Sequence, residues 1–353
     1  MKTRRKFLGA SAAAAVGTSG IAVLGAAVCH SKPSLQQEAP THLRGAAPLP
    51  YAQVISLDLN ASRARHADAL RAAYRTVAEA STGHITAWLA LGEGAFPPGS
   101  DKPQHLKQMP PYAGDVLDVS QSHGQLLLQI TAGSALTAKE AAEKMLRELP
   151  QWRVRWRMDG HRPENRTEDG KGLARNPFHF TEGYGNPSSS AEIAERATVR
   201  AVQDEPAWAV GGSYQVIRII RLATGFWDRD TVHEQERIMG RRKDGRWLDG
   251  TPRAERPVFA ADPQGKTTPL DAHVRRAAPD QRNPPPLVRR SYNYYRGADD
   301  QGLLFSCFQR DLVQGFEAVQ HRLQGEAMAK YTLTVGGGYF FVPPPGNAWL
   351  QWL

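Results

Sequence analysis

Four residues far apart in the 353-residue chain carry side chains suited to chemistry: Glu182, His273, Arg289 and Asp311. Glu182 lies in "FHFTEGYGNP", where Gly183 and Gly185 loosen the backbone, Asn186-Pro187 stops it, and Phe178 and Phe180 precede it. Aromatic neighbours suggest burial, and a buried carboxylate is a candidate for proton or charge work. By themselves these ten residues more readily describe a surface loop with a solvated glutamate. His273 sits in "LDAHVRRAAPD", Arg289 in "PPPLVRRSYNYYRG" and Asp311 in "CFQRDL".

Other chemistries lose their usual support. The chain has no G-x-x-x-x-G-K-[ST] phosphate loop, H-E-x-x-H zinc helix, G-x-S-x-G elbow or C-x-x-C-H haem attachment. "VHEQE" at His233 places His and Glu side by side, which on a helix point differently, so it reads as a solvated face. The net charge is +9, but Lys2, Arg4, Arg5 and Lys6 supply four of those positives. The rest is scattered among arginines without a basic, aromatic-laced stripe, so no nucleic-acid partner is expected.

Those early charges belong to a leader. "TRRKFLG" followed by an alanine-rich run to Val28 is a signal peptide, and Arg4-Arg5 with Phe7-Leu8 gives it the twin-arginine form. Gly17, Thr18, Ser19 and Gly20 make the run too polar for a stable membrane span. The expected destination is the periplasm or the exterior, reached after folding. Cys29 ends the leader, and its "AAVC" is a poor lipobox. Cys307 is the other cysteine, so no disulfide framework is expected.

The elements that must position the four residues follow from periodicity. Residues 1–29 are the signal, 30–50 a linker, 51–190 an N-terminal module and 191–353 a C-terminal module. In the first module "YAQVISLDLN" is a strand, about 63–80 a helix and 92–114 a long connection. The strand "GQLLLQITA" follows, then the helix "AKEAAEKMLREL" opened by a Thr137/Glu140 capping box, then the strand "WRVRWRM". In the second, "GGSYQVIRIIRLA" is a strand, Thr231 with Glu234 caps a helix running to Met239, and a long excursion follows. The strand "GLLFSCFQ", the helix "VQGFEAVQHRLQG" and the strand "YTLTVGGGYFFVP" close the chain. The inference is a duplicated α+β architecture of two ferredoxin-like modules, antiparallel sheets with helices outside. Functional groups belong on the excursions.

With these elements in place, the sequence resembles the dye-decolourising haem peroxidases, in the exported subgroup that includes deferrochelatase-type enzymes. The resemblance runs from about Tyr51 to Phe341. It rests on "LLLQI", "PAWAVGGSYQVIRIIRL", "WDRDTVHEQERIMGRRKDG", "LVRRSYNY", "LLFSCFQRDL" and "VGGGYFF". It implies two ferredoxin-like halves of the dimeric α+β barrel type, holding one haem b per chain. It also implies hydrogen peroxide and an aromatic or other reducing substrate as partners, and it admits a homo-oligomer. By the family's H-[IV]-R pattern His273 is the iron ligand, and Asp311 is expected to hold its second ring nitrogen. The other role of Asp311 is a helix N-cap. Arg289 fits the fixed cation beside the peroxide, and Glu182 the acid/base.

Departures from the pattern are specific. The family's G-x-x-D-G reads His179-Phe180-Thr181-Glu182-Gly183 here, so the carboxylate gains a methylene. An alternative follows: a haem-binding or iron-handling protein with weak peroxidase activity. Gly183, Tyr184 and Gly185 match a stretch that approaches the haem. Ser291 is expected to line the pocket as a small polar residue. The Asn-Pro-Arg found after the ligand in relatives reads Ala278-Pro279-Asp280, which leaves Arg218 and Arg275 as propionate anchors. Tyr292, Tyr294, Tyr295 and Trp227 are candidates for surface electron transfer, with ordinary packing as the competing role.

Overall fold

A computed structural model describes residues 41–43, 48–60, 65–162, 175–182, 185–187 and 189–352. The signal, most of the linker, Gly183 and Tyr184 lie outside the described residues.

The first half runs β1 (Tyr51–Leu59), α1 (His66–Ala80), β2 (Ile85–Gly92), β3 (Leu126–Ala132), α2 (Ala135–Glu148) and β4 (Trp152–His161). After α3 (Ser190–Ala197), the second half runs β5 (Ser213–Leu222), α4 (Thr224–Trp227), α5 (Val232–Met239) and α6 (His273–Ala277). It finishes with β6 (Val288–Arg289), β7 (Tyr292–Tyr295), β8 (Gln301–Gln309), a π-turn (Val313–Glu317), α7 (Ala318–Leu323) and β9 (Thr332–Val342). The strands order as β5-β9-β2-β3-β1-β4-β7-β8-β6, and β8 also pairs with β5, so the sheet closes on itself. Within each half the order is fourth, first, third, second strand (4-1-3-2 and 9-5-8-7), the ferredoxin-like order twice over. Each half's second strand pairs with the other half's fourth, through β2–β9 and β4–β7. The result is one antiparallel α+β barrel, as expected.

Alternation explains the layers. Ile217, Ile219, Leu304, Phe308, Tyr292 and Tyr294 point inward with Val54, Trp88, Leu127, Trp156 and Met158 of the first half. Gln129 and Gln215 join this interior, where Trp88 Nε1 donates to Gln215 Oε1 (3.1 Å) and Gln215 Nε2 to Gln129 Oε1 (2.8 Å). The outward residues of the first half meet α1 and α2.

Two expectations need correcting. Strands β2, β6 and β7 are not expected from the sequence, and β2 and β7 are strands that join the halves. "ITAWLALG" is apolar on both faces because one faces the barrel interior and the other the helices, so period-2 alternation is lost. The second helix begins at Ala135, not at Ala138, because Ser134 Oγ accepts from Thr137 N at 3.1 Å and takes the cap. Thr231 does cap α5, its hydroxyl accepting from Glu234 N at 3.2 Å, and Gly240 ends that helix at φ +88°.

Candidate active site

His273 is the first residue of α6 and half-buried. Its Nδ1 lies 2.6 Å from Glu326 Oε2, a carboxylate whose side chain is only 10 % exposed. Nε2 has no partner among the described residues. Asp311 is not that partner: its Oδ1 accepts from Gln314 N at 2.9 Å and its carbonyl from Gly315 N, the geometry of a helix cap. Glu326 was missed because it sits in a turn 53 residues from His273 with no motif around it.

Arg289 pairs with Cys307 across β6–β8, and the same register carries Asn293 opposite Leu303. Arg289, Cys307, Phe305, Leu303, Arg218 and Ile220 therefore share the outer face of this half of the barrel. Val274, next to His273, packs on the same apolar cluster as Ile220 and Leu303. Ligand candidate and cation candidate thus address one sheet face. Arg289 keeps part of its surface open, yet the surrounding protein desolvates it and lowers its pKa, an effect opposed by the Glu182 carboxylate. A guanidinium remains charged through such a shift. Burial pushes the Cys307 thiol well up, so it is inert at neutral pH.

A short segment anchors Arg289. Asn186 Nδ2 donates to the Arg289 carbonyl and Asn186 Oδ1 accepts from Arg289 N, both at 2.9 Å. Gly185 precedes it at φ +72°, and a Cβ there would come to 3.4 Å of Arg289 Nη2. The left-handed backbone favours a glycine here, while the Cβ itself would make only an ordinary contact with the guanidinium.

Glu182 is 25 % exposed, and its Oε2 accepts from Arg162 Nη2 at 3.0 Å. The same guanidinium donates through Nη1 to the Ser291 carbonyl at 2.8 Å. Arg162, at the end of β4, thus ties the Glu182 loop to the strand carrying Arg289. It is the second residue that the sequence did not reveal. The loop before Glu182 is rigid: Asn176 Oδ1 accepts from Phe178 N (3.1 Å) and Phe180 N (3.0 Å), and Phe178 stacks on Trp227 at 4.4 Å. Ser291 Oγ is taken into the ladder, accepting from Ser306 N at 3.2 Å.

The two anchor candidates part company. Arg275 spends its guanidinium on Thr268 O (2.6 Å), Asp262 O (2.5 Å) and the Asp262 carboxylate (3.3 Å), a purely local role. Arg218 binds Asp115 (2.5 Å) and Thr334 Oγ1 (2.7 Å), but its buried Nη1 has no hydrogen-bond partner among the described residues. Of the surface-aromatic candidates, Trp227, Tyr292 and Tyr294 are at most 2 % exposed and only Tyr295 meets solvent. Strand alternation turns Tyr292 and Tyr294 into the barrel.

A duplicated ferredoxin-like barrel whose outer face carries an oriented imidazole, a half-buried arginine and a carboxylate fits a haem-protein scaffold of the α+β barrel class. The chain belongs to the Dyp-type peroxidase family: its profiles match residues 51–162 (N-terminal) and 173–347 (C-terminal). A deferrochelatase of Yersinia pestis is 40% identical over 272 residues, 72% of this chain and 62% of that protein. One of Escherichia coli is 37% identical over 277 residues, 74% and 66%. The chain therefore spans less than two thirds of the length of these relatives. The DyP-type peroxidase of Streptomyces coelicolor superposes with a TM-score of 0.77 at 30% identity, covering 87% of this chain and 91% of that one. The one from Cellulomonas bogoriensis gives 0.76 at 28%, covering 87% and 92%.

Haem is the cofactor of this family, and the residues present fit it. His273 offers Nε2 with its other nitrogen already tied to a carboxylate, as metal-bound imidazoles require. Ile220, Leu303 and Phe305 give a half-buried apolar wall on the same face. Arg218 adds a buried donor free of hydrogen bonds.

Proposed function

We propose that this chain is a haem b peroxidase, one haem per chain, that reduces hydrogen peroxide and oxidises aromatic or other one-electron donors. The observation that carries this reading is the His273–Glu326 pair, which fixes the tautomer with Nε2 as the ligating atom and makes that nitrogen a stronger donor. Haem held there supplies iron that accepts oxidising equivalents from peroxide and passes them on singly. Glu182 takes the proton from one peroxide oxygen and returns it to the other, which leaves as water. Its Oε1 carries no hydrogen bond among the described residues, while Arg162 holds Oε2 in place. Arg289 stabilises the charge that develops as the O–O bond lengthens. By resemblance the stretch Gly183-Tyr184-Gly185 would contribute to haem binding, Arg218 would serve its propionates, and Ser291 fixes the strand that carries Arg289.

The leader supports export folded, by the twin-arginine route, to the periplasm or exterior. No helix among the described residues is long and apolar enough to cross a membrane.

Haem-loaded protein tests the reading. His273→Ala should abolish the Soret band. Glu182→Gln should keep it while slowing peroxide-driven donor oxidation by about 10²–10⁴-fold. Unchanged turnover in Glu182→Gln would refute the acid/base role. A second reading, iron handling with weak peroxidase activity, is favoured by the name of the 40% identical relatives and by glutamate at position 182. Iron release from haem by the wild type, with a large gain in peroxidase turnover in Glu182→Asp, would select it.

A further inference from the structure

A cavity of about 440 Å³ opens on the same outer face as the candidate site but shares no lining residue with it. His161, Arg175, His179, Asn293, Tyr295 and Gln301 line it. Its position follows from register: Asn293 pairs with both His161 and Leu303, one same-face step along the strand from Ser291 and two from Arg289. Each such step is about 7 Å.

The lining has a definite chemistry. Arg175 supplies positive charge and two imidazoles add ring nitrogens, that of His161 held toward its neutral form by burial, and among the described residues no carboxylate lines the cavity. Two carboxylates that contact lining or neighbouring residues are engaged: Asp228 with His179 Nε2 (3.3 Å), and Asp300 with Arg296 (2.8 Å) and the Tyr294 hydroxyl (3.1 Å). Asn293 is 8 % exposed, and its side-chain amide makes no hydrogen bond among the described residues and keeps its polar atoms open to the cavity. An amide placed this way can hydrogen-bond a ligand or a water in the cavity. Tyr295 is 65 % exposed, an aromatic ring offered to solvent at the rim. His179 adopts φ +68°, an uncommon backbone for a side-chain-bearing residue, held by Arg175 Nη1 donating to its carbonyl at 3.0 Å. That strained residue turns toward the cavity three positions before Glu182.

We propose that this cavity binds the reducing substrate, and that the substrate is a single-ring phenol carrying a carboxylate or comparable anion. The anion meets Arg175 and the imidazoles, the ring lies on Tyr295, and the phenolic hydroxyl reaches the Asn293 amide at the inner end. This deepens the peroxidase reading and rests on it. Two donor molecules each lose one electron and one hydroxyl proton for every peroxide reduced to two waters, the electrons passing to the haem oxidised by that peroxide. Leu303, across the strand from Asn293, packs on the same cluster as Val274 beside His273, so the donor's inner end lies against the apolar wall of the haem site.

The test titrates 4-hydroxybenzoate into resting haem-loaded protein, without peroxide, and follows binding by calorimetry. Phenol and 4-hydroxybenzylamine serve as neutral and cationic comparisons. The expected result is saturable binding of the acid, at least 10-fold tighter than the amine. Asn293→Asp, which puts a negative charge at the inner end, should weaken it 10-fold or more. Tyr295→Ala, at an exposed position that folding does not need, should weaken it about 3–10-fold, as loss of an aromatic contact implies. Equal binding of acid and amine, or acid binding untouched by both variants, overturns the proposal. Acid binding as expected in a protein that consumes no peroxide overturns the peroxidase reading, and with it the donor role. Normal peroxidase turnover of phenol without acid binding overturns the cavity alone.

Discussion

Glu326 Oε2 stands 2.6 Å from Nδ1 of His273, across 53 residues of chain, the carboxylate nearly buried and the imidazole half-buried. A carboxylate at that distance accepts the ring proton, leaves Nε2 as the lone-pair nitrogen and pushes electron density toward whatever Nε2 binds.

Glu326→Gln should therefore lower haem affinity or turnover about 10–100-fold and shift the reduction potential upward. Spectroelectrochemistry of the variant checks this. Asp311→Asn, by contrast, touches only a helix cap and should change neither spectrum nor potential.

Arg162 holds Glu182 and the Ser291 carbonyl with one guanidinium. Arg162→Ala should leave haem content intact and lower kcat/KM for peroxide about 10–100-fold, since a displacement of the acid/base of about 1 Å is enough for such a loss. Stopped-flow mixing with peroxide gives the number, and an unchanged rate constant would remove Arg162 from its positioning role.

Asn186 satisfies both the N–H and the C=O of Arg289. Truncation to alanine strands both groups and should cost about 1–3 kcal/mol, read by chemical denaturation of the haem-free chain. Gly185→Ala should cost about 1 kcal/mol through its positive φ alone.

His42 is wedged at the barrel end, its ring 5.4 Å from Trp88 and 5.2 Å from Phe308, with Nε2 buried and without a hydrogen-bond partner among the described residues. Burial, with Arg290 adding to it, pushes its pKa down from 6.5 to about 3. The unfolded chain thus binds the proton more readily than the folded one. The ring's contribution is fully present above about pH 6.5 and is lost as pH falls toward 3. Thermal melts across that range should show acid destabilisation on the order of a few kcal/mol. His42→Phe should flatten the dependence, and an equally steep loss in that variant would exclude His42 as its source.

Much of this was legible in the chain. Alternating runs marked β1, β3, β4, β5, β8 and β9, and cap residues such as Thr231 marked a helix start, because strand and helix periods are local properties. The outer-face residues Arg289 and His273 were found through motif resemblance. The seam strand β2 was not, since burial on both faces erases alternation. The His273 partner went to Asp311 in the sequence reading because a carboxylate after a strand is also what a helix cap looks like.

By itself the sequence determined the α+β duplication and the family resemblance, and it supplied the candidates for imidazole, cation and carboxylate. Each of these is a matter of residue type, period or short-range spacing. Tertiary structure alone decided that Glu326 orients the imidazole, that Arg162 holds Glu182, and that Arg218 rather than Arg275 keeps a free donor. It also decided that the tyrosines at 292 and 294 face inward while Tyr295 faces a basic cavity. These pairings join residues tens to more than a hundred positions apart, and a hydrogen bond only a few ångströms long has no signature in a sequence until the barrel closes and brings its ends together.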